Sequence, residues 1–229
     1  MRAYLQLIRA PNLFTAASNA VAGFTLMTAV DQAQFDHPRW DHLVVLMFIS
    51  AALYASGAVF NDCLDLQHDR RFRPERPIPS GDVPLGRAYL LGVSLVVAAL
   101  AAAMWLKTTT VLFTGLLITA IWLYNGVLKR FVVLGALGMG LCRFLNVMLG
   151  MSAGSSLDSL TLPENRVLIW APLLMGLYAV IVTAASHYED RPAGGHGPWV
   201  LFGAAAGLPV VLSGAAFAVV DTIFGWVLL

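Results

Sequence analysis

The most informative stretch of the sequence reads Asn61-Asp62-Cys63-Leu64-Asp65-Leu66-Gln67-His68-Asp69 and runs into Arg70-Arg71-Phe72-Arg73-Pro74-Glu75-Arg76-Pro77-Ile78-Pro79-Ser80-Gly81. If it continues the preceding apolar run as a helix, Asn61, Asp65 and Asp69 recur every four residues and share one face. Asp62 lies three residues before Asp65 and joins that face. Three carboxylates there repel one another unless a cation lies among them. Because Mg²⁺ prefers such oxygen ligands, these four residues are predicted to bind it, and the alternative is a solvated loop.

The composition of the chain is that of a multispanning membrane protein. Residues of the types AVILMFWYC make up 59% of the 229 residues, and only 12% are charged, against about 25% in an ordinary soluble domain. A formal net charge of +1 gives no indication of a nucleic-acid partner. The two cysteines, Cys63 and Cys142, lie in separate segments, so neither a disulfide framework nor a zinc site is indicated.

Seven apolar stretches approach the length of about 20 residues that a membrane-spanning helix needs. They lie at 13–30, 43–60, 88–106, 110–124, 131–153, 167–186 and 199–220. We therefore expect an all-α, polytopic bundle of about seven transmembrane helices, forming one membrane-embedded domain over residues 1–229.

The basic residues lie mostly on one side of these spans. With a cytoplasmic amino terminus, the inside positions are Arg2, Arg9, Arg70, Arg71, Arg73, Arg76, Arg87, Lys129, Arg130 and Arg191, and the outside positions are Arg39, Lys107 and Arg166. The positive-inside rule favours this orientation. It places the acidic stretch, the Lys129-Arg130 pair and the loop at 187–198 on one cytoplasmic face. We expect an integral protein of the bacterial inner membrane with its site facing the cytoplasm.

The segment at 70–87 contains four prolines, at positions 74, 77, 79 and 84. They prevent a continuous helix and are expected to hold the backbone extended near Arg76. The arginines of this stiffened loop, Arg73 and Arg76, are candidates for binding an anionic substrate beside the acidic stretch.

Polar residues at the end of the fourth span form a second candidate group. Lys129 supplies a compact charge and Arg130 a bidentate fork, a combination suited to a diphosphate. The alternative is an interfacial anchor that only sets topology. In the fifth span, Arg143 and Asn146 lie one turn apart on the same face. Because a charged arginine inside a span costs about 3 kcal/mol, we favour a cavity-lining role over a purely structural pair.

The acidic spacing and the Arg-Pro-Ile-Pro-Ser-Gly tail together resemble the first aspartate-rich motif of the UbiA superfamily of membrane prenyltransferases. The resemblance extends over residues 5–220, and Asn19 resembles a position of the family's first helix. The family's Tyr-x-x-x-Lys motif is altered, since Tyr124 stands five residues before Lys129, whereas Asn125 keeps the spacing.

The resemblance implies a Mg²⁺-dependent transfer of an isoprenyl group from a prenyl diphosphate to a hydrophobic acceptor in the membrane. Asp62, Asp65 and Asp69, helped by Asn61, hold the metal on the diphosphate. Lys129 and the basic residues near Arg76 stabilise the departing diphosphate.

A second acidic motif of the family, Asp-x-x-x-Asp-x-x-x-Asp, is depleted here. Aligned on Asp190 it becomes Ser186, Asp190 and Gly194, with Glu189 as an added neighbour, so Glu189 and Asp190 are the remaining candidate metal ligands. Family members generally have nine spanning helices, so the chain is expected to be about two helices short at its carboxyl end.

The Gly-Leu-Cys-Arg-Phe-Leu-Asn run at 140–146 and the Ser-His-x-Glu ending at 186–189 look most like the EboC-type branch of the superfamily. That branch is associated with handling or export of secondary-metabolite precursors. The alternative function is therefore a non-catalytic lipid or precursor-binding protein that acts in transport. An unrelated secondary transporter would show broken helices at the midplane and paired repeats, whereas the charges here gather at one face.

Overall fold

The computed structural model describes residues 1–31, 39–153 and 168–189. All regular structure in these ranges is helical, which confirms the all-α prediction. The α-helices are α1 Arg2–Leu7, α2 Leu13–Asp31, α3 Trp40–Leu64, α4 Leu66–Phe72, α5 Leu85–Leu106, α6 Thr108–Gly126, α7 Val132–Met151 and α8 Trp170–Glu189, with 3₁₀ turns at Ala10–Asn12 and Leu128–Arg130.

Six of the predicted spans correspond to the long helices α2, α3, α5, α6, α7 and α8. The seventh, at 199–220, lies outside the described residues. Four segments of the described chain are long and apolar enough to cross a membrane, namely Trp40–Leu64, Leu85–Leu106, Thr108–Arg130 and Val132–Met151. Large apolar side chains such as Phe48, Leu90 and Trp105 are exposed on the outside of the bundle, as a surface in contact with lipid requires.

Helix α3 lies at the centre of the bundle and contacts α2, α5, α6 and α7. Leu46, Ile49 and Leu53 of α3 are buried against Leu117 of α6 and Leu149 of α7. Since lipid tails are as apolar as these side chains, association of the helices depends on close packing rather than on exclusion of water.

Glycines set the closest approaches between helices. A Cβ at Gly23 would collide with the Val147 carbonyl oxygen, and one at Gly150 would collide with the Ala20 carbonyl oxygen. Helices α2 and α7 therefore meet backbone to backbone at this crossing, as small residues permit in membrane bundles.

The acidic stretch departs from one continuous helix at a single residue. Asp65 has φ −87° and ψ 4°, so α3 ends at Leu64 and α4 begins at Leu66. The amides of Asp65 and Asp69 still donate to the carbonyls of Asn61 and Asp65, at 3.0 and 2.8 Å. The chain thus keeps its helical course across the interruption.

The proline-rich segment interrupts the helices as predicted, but it is folded in turns rather than extended. Amides donate across the segment from Ser80 to the Arg76 carbonyl and from Val83 to the Pro77 carbonyl. Val83 is buried against α1 and α3, together with Ile78. Turns replace the extended path because this packing anchors the segment to the helices and holds Arg76 over the end of α3.

Candidate functional site

The acidic cluster, defined as Asn61, Asp62, Asp65 and Asp69, lies where α3 passes into α4. Arg76 bridges two of its members, because Nη1 lies 3.2 Å from Asp62 Oδ1 and 2.7 Å from Asp69 Oδ2. Asp69 is 1% exposed and Asp62 is 5% exposed. A guanidinium is the counter-ion best suited to two such buried carboxylates, since its planar fork donates in several directions.

The other half of the cluster is held by Lys129, in the 3₁₀ turn between α6 and α7. Its Nζ lies 2.6 Å from Asp65 Oδ1 and 3.0 Å from Asn61 Oδ1. Asn61 also approaches Asp62, with Nδ2 3.5 Å from Oδ1, and so joins the two halves. The structure thus brings Asn61, the three aspartates, Arg76 and Lys129 to one place.

Arg9 is part of this site, although the sequence analysis placed it only among the cytoplasmic basic residues and not among the site residues. Its Nη2 lies 3.2 Å from Asp62 Oδ1. The backbone at Arg9 is left-handed, with φ 51°, the one positive φ of a non-glycine residue in the described chain. Such strain is typical of functional positions, and here it turns the chain between α1 and α2 so that the side chain reaches the cluster.

The cluster fits a diphosphate-bound Mg²⁺ better than a free metal ion. Within the described ranges, no group of three or more His, Cys, Asp or Glu side chains is arranged to hold a metal on its own. Mg²⁺ is commonly held by one or two carboxylates together with substrate phosphates and water, which requires less of the protein. The cations now paired with the carboxylates would be available to the phosphate oxygens.

A cavity of about 250 Å³ adjoins the cluster and runs between α2, α3, α6 and α7. Its lining residues are Arg9, Ala16, Ser50, Leu53, Tyr54, Gly57, Ala58, Asn61, Leu117, Ile121, Tyr124, Asn125, Met139, Cys142, Arg143 and Asn146. On α3 the lining runs from Asn61 back to Ser50, which is roughly 16 Å along a helix. The cavity therefore reaches the cluster at Asn61, at the end that we call its mouth, and leads from there into the interior of the bundle.

Hydrogen bonds fix the helices around the cavity at two levels. Near the mouth, Asn125 Nδ2 donates to the Gly57 carbonyl at 3.1 Å. At the other end, which we call the floor, the Ala16 carbonyl accepts from Ser50 Oγ at 2.7 Å and from Asn146 Nδ2 at 3.0 Å. Asn125 and Asn146 thus line the cavity while they brace it.

Several predicted site residues lie apart from the cluster. Arg73 and Arg130 are exposed, and neither makes an ion pair with the cluster in the described chain. Asn19 is 2% exposed in α2, with Nδ2 unpartnered, and is not among the residues that line the cavity. Asp190 and the side chain of Glu189 lie outside what the structure describes, so both stay predictions.

The sequence of the chain is similar to a known family of membrane enzymes. The model of the UbiA prenyltransferase family matches residues 22–229 of the chain. The digeranylgeranylglyceryl phosphate synthase of Ignicoccus hospitalis is 28% identical over 200 residues, which cover 85% of this chain and 62% of the synthase. The enzyme of the same name from Sulfurisphaera tokodaii is 24% identical over 154 residues, or 66% of this chain and 52% of the synthase. The chain thus spans between about half and two thirds of the length of these relatives.

Solved structures share the fold. A UbiA homologue from Archaeoglobus fulgidus bound to DMAPP and Mg²⁺ superposes with a TM-score of 0.66 and 18% identity, over 94% of this chain and 77% of the other. A structure of digeranylgeranylglyceryl phosphate synthase gives a TM-score of 0.68 and 20% identity, over 95% of this chain and 77% of the other.

Proposed function

Because the chain belongs to the UbiA prenyltransferase family, we propose that it transfers an isoprenyl group from a prenyl diphosphate to a hydrophobic acceptor, with Mg²⁺ as cofactor. The observation that carries the proposal is the position of the acidic cluster, with Lys129 and Arg76 paired to it, at the mouth of a largely apolar cavity. The polar end suits a diphosphate and the apolar interior suits an isoprenoid chain.

Each part of the site has a role in this reaction. Asp62, Asp65 and Asp69, with Asn61, would hold Mg²⁺, which supplies positive charge to the diphosphate oxygens. Lys129 and Arg76 donate to the same oxygens as the bond between the allylic carbon and the diphosphate breaks and its electron pair goes to the diphosphate. The acceptor then forms the new bond at that carbon and gives up a proton. The apolar cavity walls keep water from capturing the allylic cation instead.

Arg73, Arg130 and Asn125 would support binding rather than chemistry. Arg73 and Arg130 are exposed at the same end of the bundle, where they can attract an anionic substrate from the aqueous side. Glu189 and Asp190 are proposed as the remnant of the second metal-binding motif, and Asn19 as a polar contact of the first helix.

Binding of geranyl diphosphate to the purified chain, with Mg²⁺ or with chelator, tests the metal-dependent site. We expect tighter binding with Mg²⁺, because the carboxylates otherwise repel the diphosphate, and Asp65→Asn should remove the difference. The exposed Asp82 provides a matched control, since Asp82→Asn should leave the difference intact. Equal affinity in both conditions would count against the proposal.

A non-catalytic, EboC-type binding or transport function is the second candidate, and the state of the second motif favours it. Ser186 replaces a carboxylate there, and its hydroxyl donates to the Thr183 carbonyl of its own helix at 2.9 Å. We expect the first cluster to bind diphosphate while release of the prenyl group is slow or absent.

Release of inorganic diphosphate from a labelled prenyl diphosphate, with a pool of candidate acceptors, separates the two functions. In an impaired enzyme, the combined change Ser186→Asp and Gly194→Asp raises the rate, whereas in a binding protein it has no effect. Rapid turnover by the unmodified chain that survives Glu189→Gln and Asp190→Asn would contradict a requirement for the second motif.

The chain is an integral membrane protein, and we propose that the cluster faces the cytoplasm of a bacterial inner membrane, within a single domain. The skew of basic residues supports this orientation. Cys63 is 5% exposed and therefore a poor topology probe. A Cys introduced by Asp82→Cys, with both native cysteines changed to Ala, should react with an impermeant thiol reagent from the cytoplasmic side only. Reaction from the opposite side alone would show that the protein has the opposite orientation in the membrane.

A further inference from the structure

Two charged side chains line the cavity, and both are cationic. Arg9 is paired with Asp62 at the mouth. Arg143 lies deeper, on α7, and makes no ion pair or hydrogen bond with any residue that the structure describes. The cavity thus holds one cation whose charge the described part of the protein does not balance.

An unbalanced guanidinium in an apolar cavity within a bundle is energetically costly. An anion that enters the cavity removes this cost and gains a charge-assisted contact, for which a guanidinium has the geometry to donate two parallel hydrogen bonds. One turn further along α7, the buried Asn146 has an unpartnered Oδ1, which is free to accept from a hydroxyl group or a water molecule. The polar groups at this depth therefore suit an acidic headgroup.

Arg143 lies at a different level from the cations that face the acidic cluster. Ser50 and Asn146 meet at the Ala16 carbonyl, which aligns these positions of α3 and α7. From that level, Arg143 lies three residues toward the mouth along α7, and Asn61 lies eleven residues toward the mouth along α3. At 1.5 Å per residue, this difference of eight residues separates the two positions by roughly 12 Å along the bundle. Lys129, by contrast, contacts Asn61 directly, at 3.0 Å. A diphosphate bound at Lys129 therefore leaves Arg143 available to a second ligand.

We propose that Arg143 binds the acidic headgroup of the acceptor, which is an anionic amphiphile carrying a phosphate or a carboxylate. Its apolar part contacts the cavity walls at Leu53, Leu117 and Ile121. The role as acceptor rests on the proposed prenyl transfer, whereas the binding itself does not. A neutral lipid of the same chain length leaves the guanidinium unbalanced and binds more weakly.

The probe for this site is monododecyl phosphate, titrated calorimetrically into the full chain in a neutral detergent with chelator present. We expect Arg143→Gln to weaken binding by about 10- to 100-fold, the effect of losing a hydrogen-bonded charge, and Arg143→Lys to retain part of the affinity. Arg87→Gln is the matched control, since Arg87 is exposed outside the cavity, and it should bind like the unmodified chain. Dodecanol and inorganic phosphate, each lacking one half of the probe, should both bind much more weakly.

The same titrations contain the results that would overturn the proposal. Undiminished binding by Arg143→Gln would do so, as would an equal loss in Lys129→Gln, because the probe would then occupy the diphosphate site. In the unmodified chain, inorganic diphosphate with Mg²⁺ should not displace the probe, and displacement would also overturn the assignment. If the probe binds but no prenyl transfer is found, the proposed function fails and this site stands. If transfer proceeds with a KM for the acceptor that Arg143→Gln does not change, this site fails alone.

Discussion

The mouth of the cavity and its interior treat charge in opposite ways. At the mouth, Asp62 contacts both Arg9 and Arg76, Asp69 contacts Arg76, and Asp65 contacts Lys129. In the interior, Arg143 has no such partner in the described chain. A ligand at the mouth must therefore exchange with counter-ions that the protein already supplies, whereas a ligand in the interior supplies the missing one. The two regions are suited to two different anions.

The two ends also differ in what holds the helices together. The mouth is joined by long charged side chains that come from separate segments of the sequence. The floor is joined by two hydrogen bonds to the Ala16 carbonyl and by the glycine crossing of α2 and α7 just beyond it. Salt and ligands can loosen the first set of contacts, but the second set depends on backbone packing.

The largest effect is expected when the buried ion pair at the mouth is broken. Asp69→Ala leaves Arg76 with only Asp62, and loss of one partner of a buried pair costs about 3 kcal/mol or more. Unfolding of the purified protein by denaturant in detergent measures this cost. Asp82→Ala removes an exposed carboxylate from the neighbouring proline-rich segment and should change stability little. Equal effects of the two changes would show that burial at the mouth does not matter.

A smaller loss is expected at the floor. Gly150→Ala places a methyl group against the Ala20 backbone, and overpacking of this kind costs about 1–3 kcal/mol. Gly115→Ala is the matched control, because no atom lies within 4 Å of the added Cβ. That change should be neutral, or stabilising by about 0.5–1 kcal/mol, since alanine favours the helix. A stabilised Gly150→Ala variant would contradict the close crossing.

The smallest effect separates the two ion pairs within the mouth. The Asp65 side chain is 33% exposed, whereas that of Asp69 is 2% exposed. A double-mutant cycle on Lys129 and Asp65 should therefore give a coupling free energy of about 1 kcal/mol or less, typical of pairs open to solvent. The cycle on Arg76 and Asp69 should give a larger value and a weaker dependence on salt. The reverse order would mean that solvent reaches Asp69.

Local periodicity explains how much of the fold and the site was predictable. Six of the seven predicted spans correspond to long helices, because apolar runs of that length can be recognised from the local sequence alone. The grouping of Asn61 with the aspartates follows from helical spacing. The sequence placed Lys129 and Asp65 on one membrane face, and the family resemblance assigned both to the diphosphate site. It did not predict their direct contact, which joins residues 64 positions apart.

What the sequence did not predict depends on backbone details and long-range packing. Arg9 reaches Asp62 because its own φ is positive, and no pattern of residue types indicates that for an arginine. Turns replaced the expected extended loop because Val83 and Ile78 found apolar partners on other helices. Arg130 is next to Lys129 in the sequence but is exposed, since side chains of adjacent residues point in different directions.

The glycine crossing beyond the floor has a consequence for substrate selectivity. Because Gly23 and Gly150 bring two backbones into contact, rotating a side chain cannot open space between α2 and α7 beyond the floor. The walls are different, since Leu53, Ile121 and Met139 can change rotamer to admit a broader group. Extension of a ligand between α2 and α7 is thus limited by main-chain geometry, whereas its width is limited by side chains. Substitutions can change the width one residue at a time, but a ligand that extends between α2 and α7 requires these two helices to separate.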